Sequence, residues 1–161
     1  MIQITDKPID FNRVFESILT PKAGGIAHFI GTVRDDDGIE GLFYESYPGM
    51  ADQKMAQVMV EAKGRWPLQK ISVVHRIGWV PVGEAAVVIA VSSAHRKEAF
   101  EACRFVIDRI KEIVPIWKTS PNPLLCKEGA RGIKDCCRGD PMWSPSSEGQ
   151  PHRAAPTKIG I

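Results

Sequence analysis

Residues 85–92 read Ala-Ala-Val-Val-Ile-Ala-Val-Ser, an almost unbroken apolar run. A run this short that does not alternate with polar residues reads as a buried strand. Whatever this chain folds into must cover that strand, and the flanking patterns supply the cover. Ile2–Thr5 is a short strand. Asp10 is placed to N-cap a helix to about Leu19, with Phe11, Val14, Phe15, Ile18 and Leu19 on one stripe. Thr20-Pro-Lys-Ala-Gly-Gly breaks it, and Gly25–Val33 and Leu42–Tyr47 read as strands around the turn Asp35–Gly38. A second helix opens after Pro48-Gly49 and runs to about Arg65, with Ala51, Met55, Val58, Met59 and Ala62 on one face. Ile71–Gly78 alternates as a strand, and Val80–Glu84 is a turn into the apolar run. Ser93 is placed to N-cap a third helix from Ala94 to about Val114, its stripe formed by Ala99, Cys103, Val106, Ile107 and Ile110. Pro115 stops it, and Pro115–Lys118 is extended. The order β-α-β-β-α-β-β-α, with hairpins among three main helices, predicts an α+β domain with a mixed or antiparallel sheet.

The composition changes abruptly after Lys118. Residues 1–118 carry 15 basic and 15 acidic side chains, so the chain's net charge of +2 belongs to residues 119–161. That tail also holds three of the four cysteines and half of the 12 prolines, with few strong hydrophobes. Such a composition does not offset the entropy of ordering it, so 1–118 is expected to be the folded domain and 119–161 a disordered tail. The neutral domain argues against a dedicated nucleic-acid binder. There is no apolar run of the ~20 residues needed to span a bilayer and no secretory pattern at the N-terminus, so a cytoplasmic location is expected.

Four places can carry chemistry. In Ser92-Ser93-Ala94-His95-Arg96 a buried strand meets a helix start, where free N–H groups and the helix dipole favour an anion. A solvated helix start fits equally. In Gly31-Thr32-Val33-Arg34, Arg34 can hold a phosphate or carboxylate bidentately, or pair with Asp35–Asp37 on the surface. Gly31 permits the close approach of a ligand. Lys111, in the last helical turn, complements the dipole; Lys118 follows Ile116 and Trp117, which can partly bury its stem. A lysine that is desolvated, or that has a cationic neighbour, can act as acid, base or nucleophile. Cys103 reads as core, and Cys126 and Cys136-Cys137 lack the spacing of a metal site. His75 shares a face with Ile71, Val73 and Ile77 and reads as a core or interface histidine; His28 is balanced between core and surface.

The segments Phe29-Ile-Gly-Thr-Val-Arg34, Tyr47-Pro-Gly-Met50, Arg65-Trp-Pro-Leu68, His75-Arg-Ile-Gly78, Ser93-Ala-His-Arg96 and Pro115-Ile-Trp-Lys118 occur in an order and spacing that resembles the large, catalytic subunit of molybdopterin synthase, the MoaE family. The resemblance covers residues 1–118. It implies an α/β-hammerhead-like fold and a sulfurtransferase that converts cyclic pyranopterin monophosphate (precursor Z) into molybdopterin by installing a dithiolene. The sulfur would come from a thiocarboxylate on a small ubiquitin-like partner ending in Gly-Gly, within a heterotetramer built on a homodimer. Carried over by motif, Thr32, Val33, Arg34, His95 and Arg96 would bind substrate, with His95 and Arg96 at its phosphate. Lys111 and Lys118 would bind and catalyse, Lys111 being the more important. No resident cofactor or metal is implied, since molybdenum enters after this step.

The resemblance ends at Lys118. Family members continue with another basic residue and Glu, whereas here Thr119-Ser-Pro-Asn-Pro comes next. Either the tail is an unrelated replacement, or it folds back and supplies equivalent contacts, for example through Lys127. The alternative to an active enzyme is an impaired homologue that binds the small subunit without turnover. A generic nucleotide-binding domain has less support, because no P-loop or GxGxxG is present.

Overall fold

The computed structural model describes residues 1–35, 38–47 and 49–119. The apolar run becomes β6 (Ala85–Ser93), and it is internal to a four-stranded sheet ordered β1-β4-β6-β2. Its neighbours β4 (Leu68–Arg76) and β2 (Gly25–Thr32) are both antiparallel to it, while β1 (Ile2–Thr5) lies parallel to β4. The run does not alternate because both sheet faces are covered. Val87, Ile89 and Val91 point into the larger core, shared with α2 (Met50–Arg65) and α3 (Arg96–Ile113). Val88 and Ala90 point into a smaller core under α1 (Phe11–Ile18). Ile89 is fully buried, and Ile89→Ala is expected to destabilise the fold by about 2–5 kcal/mol in denaturant titrations.

The helical stripes are borne out for α2 and α3. Ala51, Met55, Val58 and Ala62 are buried on α2; Ala99, Cys103, Val106, Ile107 and Ile110 are buried on α3, and Met59 packs half-buried beside them. On α1 only Val14 and Ile18 are buried. Phe11, Phe15 and Leu19 remain more than two-fifths exposed, because this helix rests on a narrow strip of β4 and β6. Phe15 instead lies against the ring of His28, itself an exposed strand residue. Asp10 does cap α1, its carboxylate accepting from the Arg13 N–H at 3.1 Å.

Strand β4 starts three residues before the expected Ile71 and ends before Gly78, and two further boundaries differ from the sequence reading. Ser93 is not an N-cap. It ends β6, opposite both Gly25 and Leu68, and its hydroxyl donates to the Pro67 carbonyl at 3.4 Å. The ladder holds Ser93 extended, so α3 starts at Arg96 after His95, which makes no side-chain capping bond. The expected turn at Val80–Glu84 starts later, because Gly78–Pro81 forms a further strand, β5. Gly78, at φ +78°, turns the chain out of the first sheet into a second one, ordered β5-β3-β7. There β3 (Gly41–Ser46) pairs antiparallel with β5 and with β7 (Ile116–Thr119). Strand β7 carries the described structure one residue past Lys118, and the rest of the expected disordered tail lies outside the described residues. Val33, Val80 and Ala86 are buried where the two sheets meet, and Arg76 ties the joint by pairing with Glu84 and donating to the Trp79 carbonyl at 3.2 Å.

Candidate functional site

A cleft of about 590 Å³ opens where the second sheet meets the end of β2 and the last turns of α3. Thr32, Val33 and Arg34 reach it from the end of β2, Tyr44 from β3, His75 from β4, Lys111 from α3 and Lys118 from β7. Phe29, Leu42, Val87, Ile107 and Ile110 supply an apolar lining. Among the described residues of the lining the charged ones are Arg34, Lys111 and Lys118, all cationic and all exposed at its mouth. An apolar floor with a basic rim suits a flat organic ring bearing an anionic group.

The local structure explains how each residue gets there. The ladder between β2 and β6 is regular to Gly31–Val87 and then shifts, so that Thr32 pairs with Ala85 and Ala86 is the extra residue. A bulge of this kind bends the strand and re-aims the residues beyond it. Val33 anchors the re-aimed segment. It is buried, its N–H donates to the Glu84 carbonyl at 3.0 Å and its carbonyl accepts from the Gly83 N–H at 2.7 Å. Both backbone groups of Val33 are thereby used within the protein, and Thr32 and Arg34 on either side are exposed. Gly31 itself lines the cleft, and its bare backbone has a further use. A Cβ there would lie 2.7 Å from the Val87 side chain, so the bare backbone accommodates a cross-strand neighbour.

Lys111 stands in the last turn of α3, where a cation is favourable against the helix dipole. It also borders a second groove of about 340 Å³ between β2 and α3, lined in part by His28, Phe100 and Cys103. Burial pushes the Cys103 thiol up to about 11, so this cysteine is an inert core thiol at neutral pH. Lys118 sits opposite Tyr44 in the β3–β7 ladder. Lys118 is exposed on the edge strand β7, beside Trp117, which is 46% exposed.

His95 and Arg96 do not join this group within one chain. They lie at the other end of α3, fifteen residues before Lys111, or about 22 Å along the axis. Strand β2 spans the same interval, from Gly25 beside the helix start to Thr32 at the cleft. Gly24 and Gly25 let that start pack closely. A Cβ on Gly25 would sit 2.8 Å from the Arg96 Cα, and one on Gly24 would sit 2.4 Å from the Ala94 carbonyl oxygen. His95 and Arg96 are both exposed, on a rigidly seated helix end.

Two cleft residues, His75 and Tyr44, escaped the sequence reading of the site. His75 was expected in the core, and it is 7% exposed, yet it also forms part of the cleft wall. The ring of Tyr44 meets it edge-on at 5.5 Å. Alternation along β4 placed His75 inward; only the junction of the two sheets makes that inward face open on a cleft.

Comparison with known proteins gives one consistent result. The family described as MoaE protein matches residues 4–113. The molybdopterin synthase catalytic subunit of Halalkalibacterium halodurans is 48% identical over 118 residues, covering 71% of this chain and 76% of the relative. That of Bacillus subtilis is 46% identical over 119 residues, covering 72% and 76%. The crystal structure of molybdopterin synthase from Staphylococcus aureus superposes with a TM-score of 0.70 at 43% identity, covering 73% of this chain and 88% of that one.

Proposed function

The chain belongs to the MoaE family, and from that premise we propose that it is the catalytic subunit of a molybdopterin synthase. It transfers sulfur from the C-terminal thiocarboxylate of a small ubiquitin-like carrier ending in Gly-Gly to cyclic pyranopterin monophosphate, building the dithiolene of molybdopterin. The observation that carries this reading is the convergence of Thr32, Arg34, Lys111 and Lys118, from three separate elements, on one cleft with an apolar floor. Arg34 and Lys118 neutralise the substrate's charge. Lys111, bordering both the cleft and the adjoining groove, is placed to serve two reactants and to stabilise oxyanions as sulfur attacks. Phosphate binding by His95 and Arg96 at the same reaction centre requires a second copy of the chain, because within one chain they are a helix length away. A homodimer carrying two small subunits, acting in the cytoplasm, is the corresponding assembly. Among the described residues no helix is long and apolar enough to cross a membrane.

The testing experiment is a reconstituted assay with purified carrier thiocarboxylate and cyclic pyranopterin monophosphate. Dithiolene formation by the full chain is the expected result; carrier binding without product would instead mark an impaired homologue. The domain assignment is tested by truncation after Ser120. The shortened chain is expected to remain a folded dimer with activity equal to the full chain, since β7 ends at Thr119. Loss of activity would mean that residues such as Lys127 supply contacts to the site.

A further inference from the structure

The basic residues lining the cleft, Arg34, Lys111 and Lys118, are all hydrogen-bond donors. They can hold a phosphate or an oxyanion. They cannot accept from the N–H groups of a pterin ring, and a site for such a ring needs an acceptor on its apolar wall. His75 meets that requirement. Its Nδ1 lies 2.8 Å from the Arg76 carbonyl oxygen. A carbonyl only accepts, so the proton of this hydrogen bond is on Nδ1. Burial holds the imidazole below its ordinary value of 6.5, so the ring is neutral at neutral pH. Nε2 is then the unprotonated nitrogen, carrying the lone pair. Tyr44 packs edge-on against the ring and restrains its plane.

We propose that His75 is a substrate-binding, specificity-determining residue whose Nε2 accepts a hydrogen bond from an N–H donor of the substrate's fused heterocycle. This rests on reading the cleft as the sulfur-transfer site. It adds a division of labour to that reading: the basic residues hold the substrate's negative charge, and His75 selects the ring. A site built to accept from a ligand donor discriminates strongly against analogues that lack it, because the acceptor, covered by the bound analogue, is then left unpaired.

Two substitutions separate the roles of the two ring nitrogens. Asn in place of His75 can keep an N–H near the Nδ1 position for the Arg76 carbonyl, but has nothing at Nε2. Gln places an amide near Nε2. Expected for His75→Asn is a KM for cyclic pyranopterin monophosphate raised at least about tenfold, with kcat at saturation within about threefold of wild type. Direct calorimetric binding of the same compound should weaken to match. His75→Gln is expected to stay within about threefold of wild-type binding, since its amide oxygen can accept. Unchanged binding in His75→Asn, equal weakening in both variants, or a fall in kcat at constant KM would each overturn the proposal. Should His75→Asn fail to fold, weak binding by a folded His75→Gln overturns it alone. If wild-type protein neither binds the compound nor forms product, the functional reading itself has failed, which is distinct from a wild type that works and a His75 series that does not respond.

Discussion

Lys111→Ala is expected to reduce dithiolene formation by at least about 100-fold while leaving the fold intact. The effect should be large because Lys111 is the cation shared by the 590 Å³ cleft and the adjoining groove. Losing it removes charge stabilisation where the reactants meet, a contribution that is worth most in a partly dry site. The fold should survive because Lys111 is exposed, and its aliphatic neighbours Ile107 and Ile110 carry the packing of that turn. The measurement is single-turnover sulfur transfer with saturating carrier thiocarboxylate, beside a thermal melt. Turnover near wild type would remove Lys111 from the mechanism. Lys118→Ala should weaken substrate binding as well as the rate, since Lys118 brings a cation to the same cleft from β7.

Two inactive variants, Arg96→Ala and Lys111→Ala, are expected to regain activity when mixed and allowed to exchange subunits. Within one chain these residues are separated by about 22 Å of α3, so a substrate touching both must be held by two copies. In a mixed dimer one of the two sites then takes its intact Arg96 from one protomer and its intact Lys111 from the other. With random exchange, half the dimers are mixed and half of their sites are whole, giving about a quarter of wild-type activity. Each variant alone should stay near its low baseline. A mixture no more active than the average of its parts would mean that the helix start and the cleft belong to different functions.

The site was partly legible in the sequence because some of its chemistry is local. Arg34 leaves a strand for a turn, Lys111 occupies a last helical turn, and Lys118 comes three residues after the proline that stops the helix. Each position is set by periodicity and breakers within a few residues. The further uses of Gly31 and His75 were not legible for the opposite reason. The use of Gly31 depends on Val87 across the ladder, and that of His75 depends on β3 and α3 closing a cleft beside it. The exposure of Phe11 and Phe15 is a similar case: a helical stripe shows which side is apolar, not how wide a surface awaits it.

The apolar run at 85–92 by itself determined that β6 would be buried, and the surrounding periodicities determined three helices around a mixed sheet. Both outcomes come from short-range rules, since the 2-residue and 3.6-residue repeats assign inward faces without reference to distant partners. The tertiary structure alone decided that Gly78 sends the chain into a second sheet and that Thr32–Arg34, Lys111 and Lys118 share a cleft. Those outcomes depend on strand order and register between segments tens of residues apart, where the free energy comes from packing two sheets and a helix together, and no local pattern encodes it.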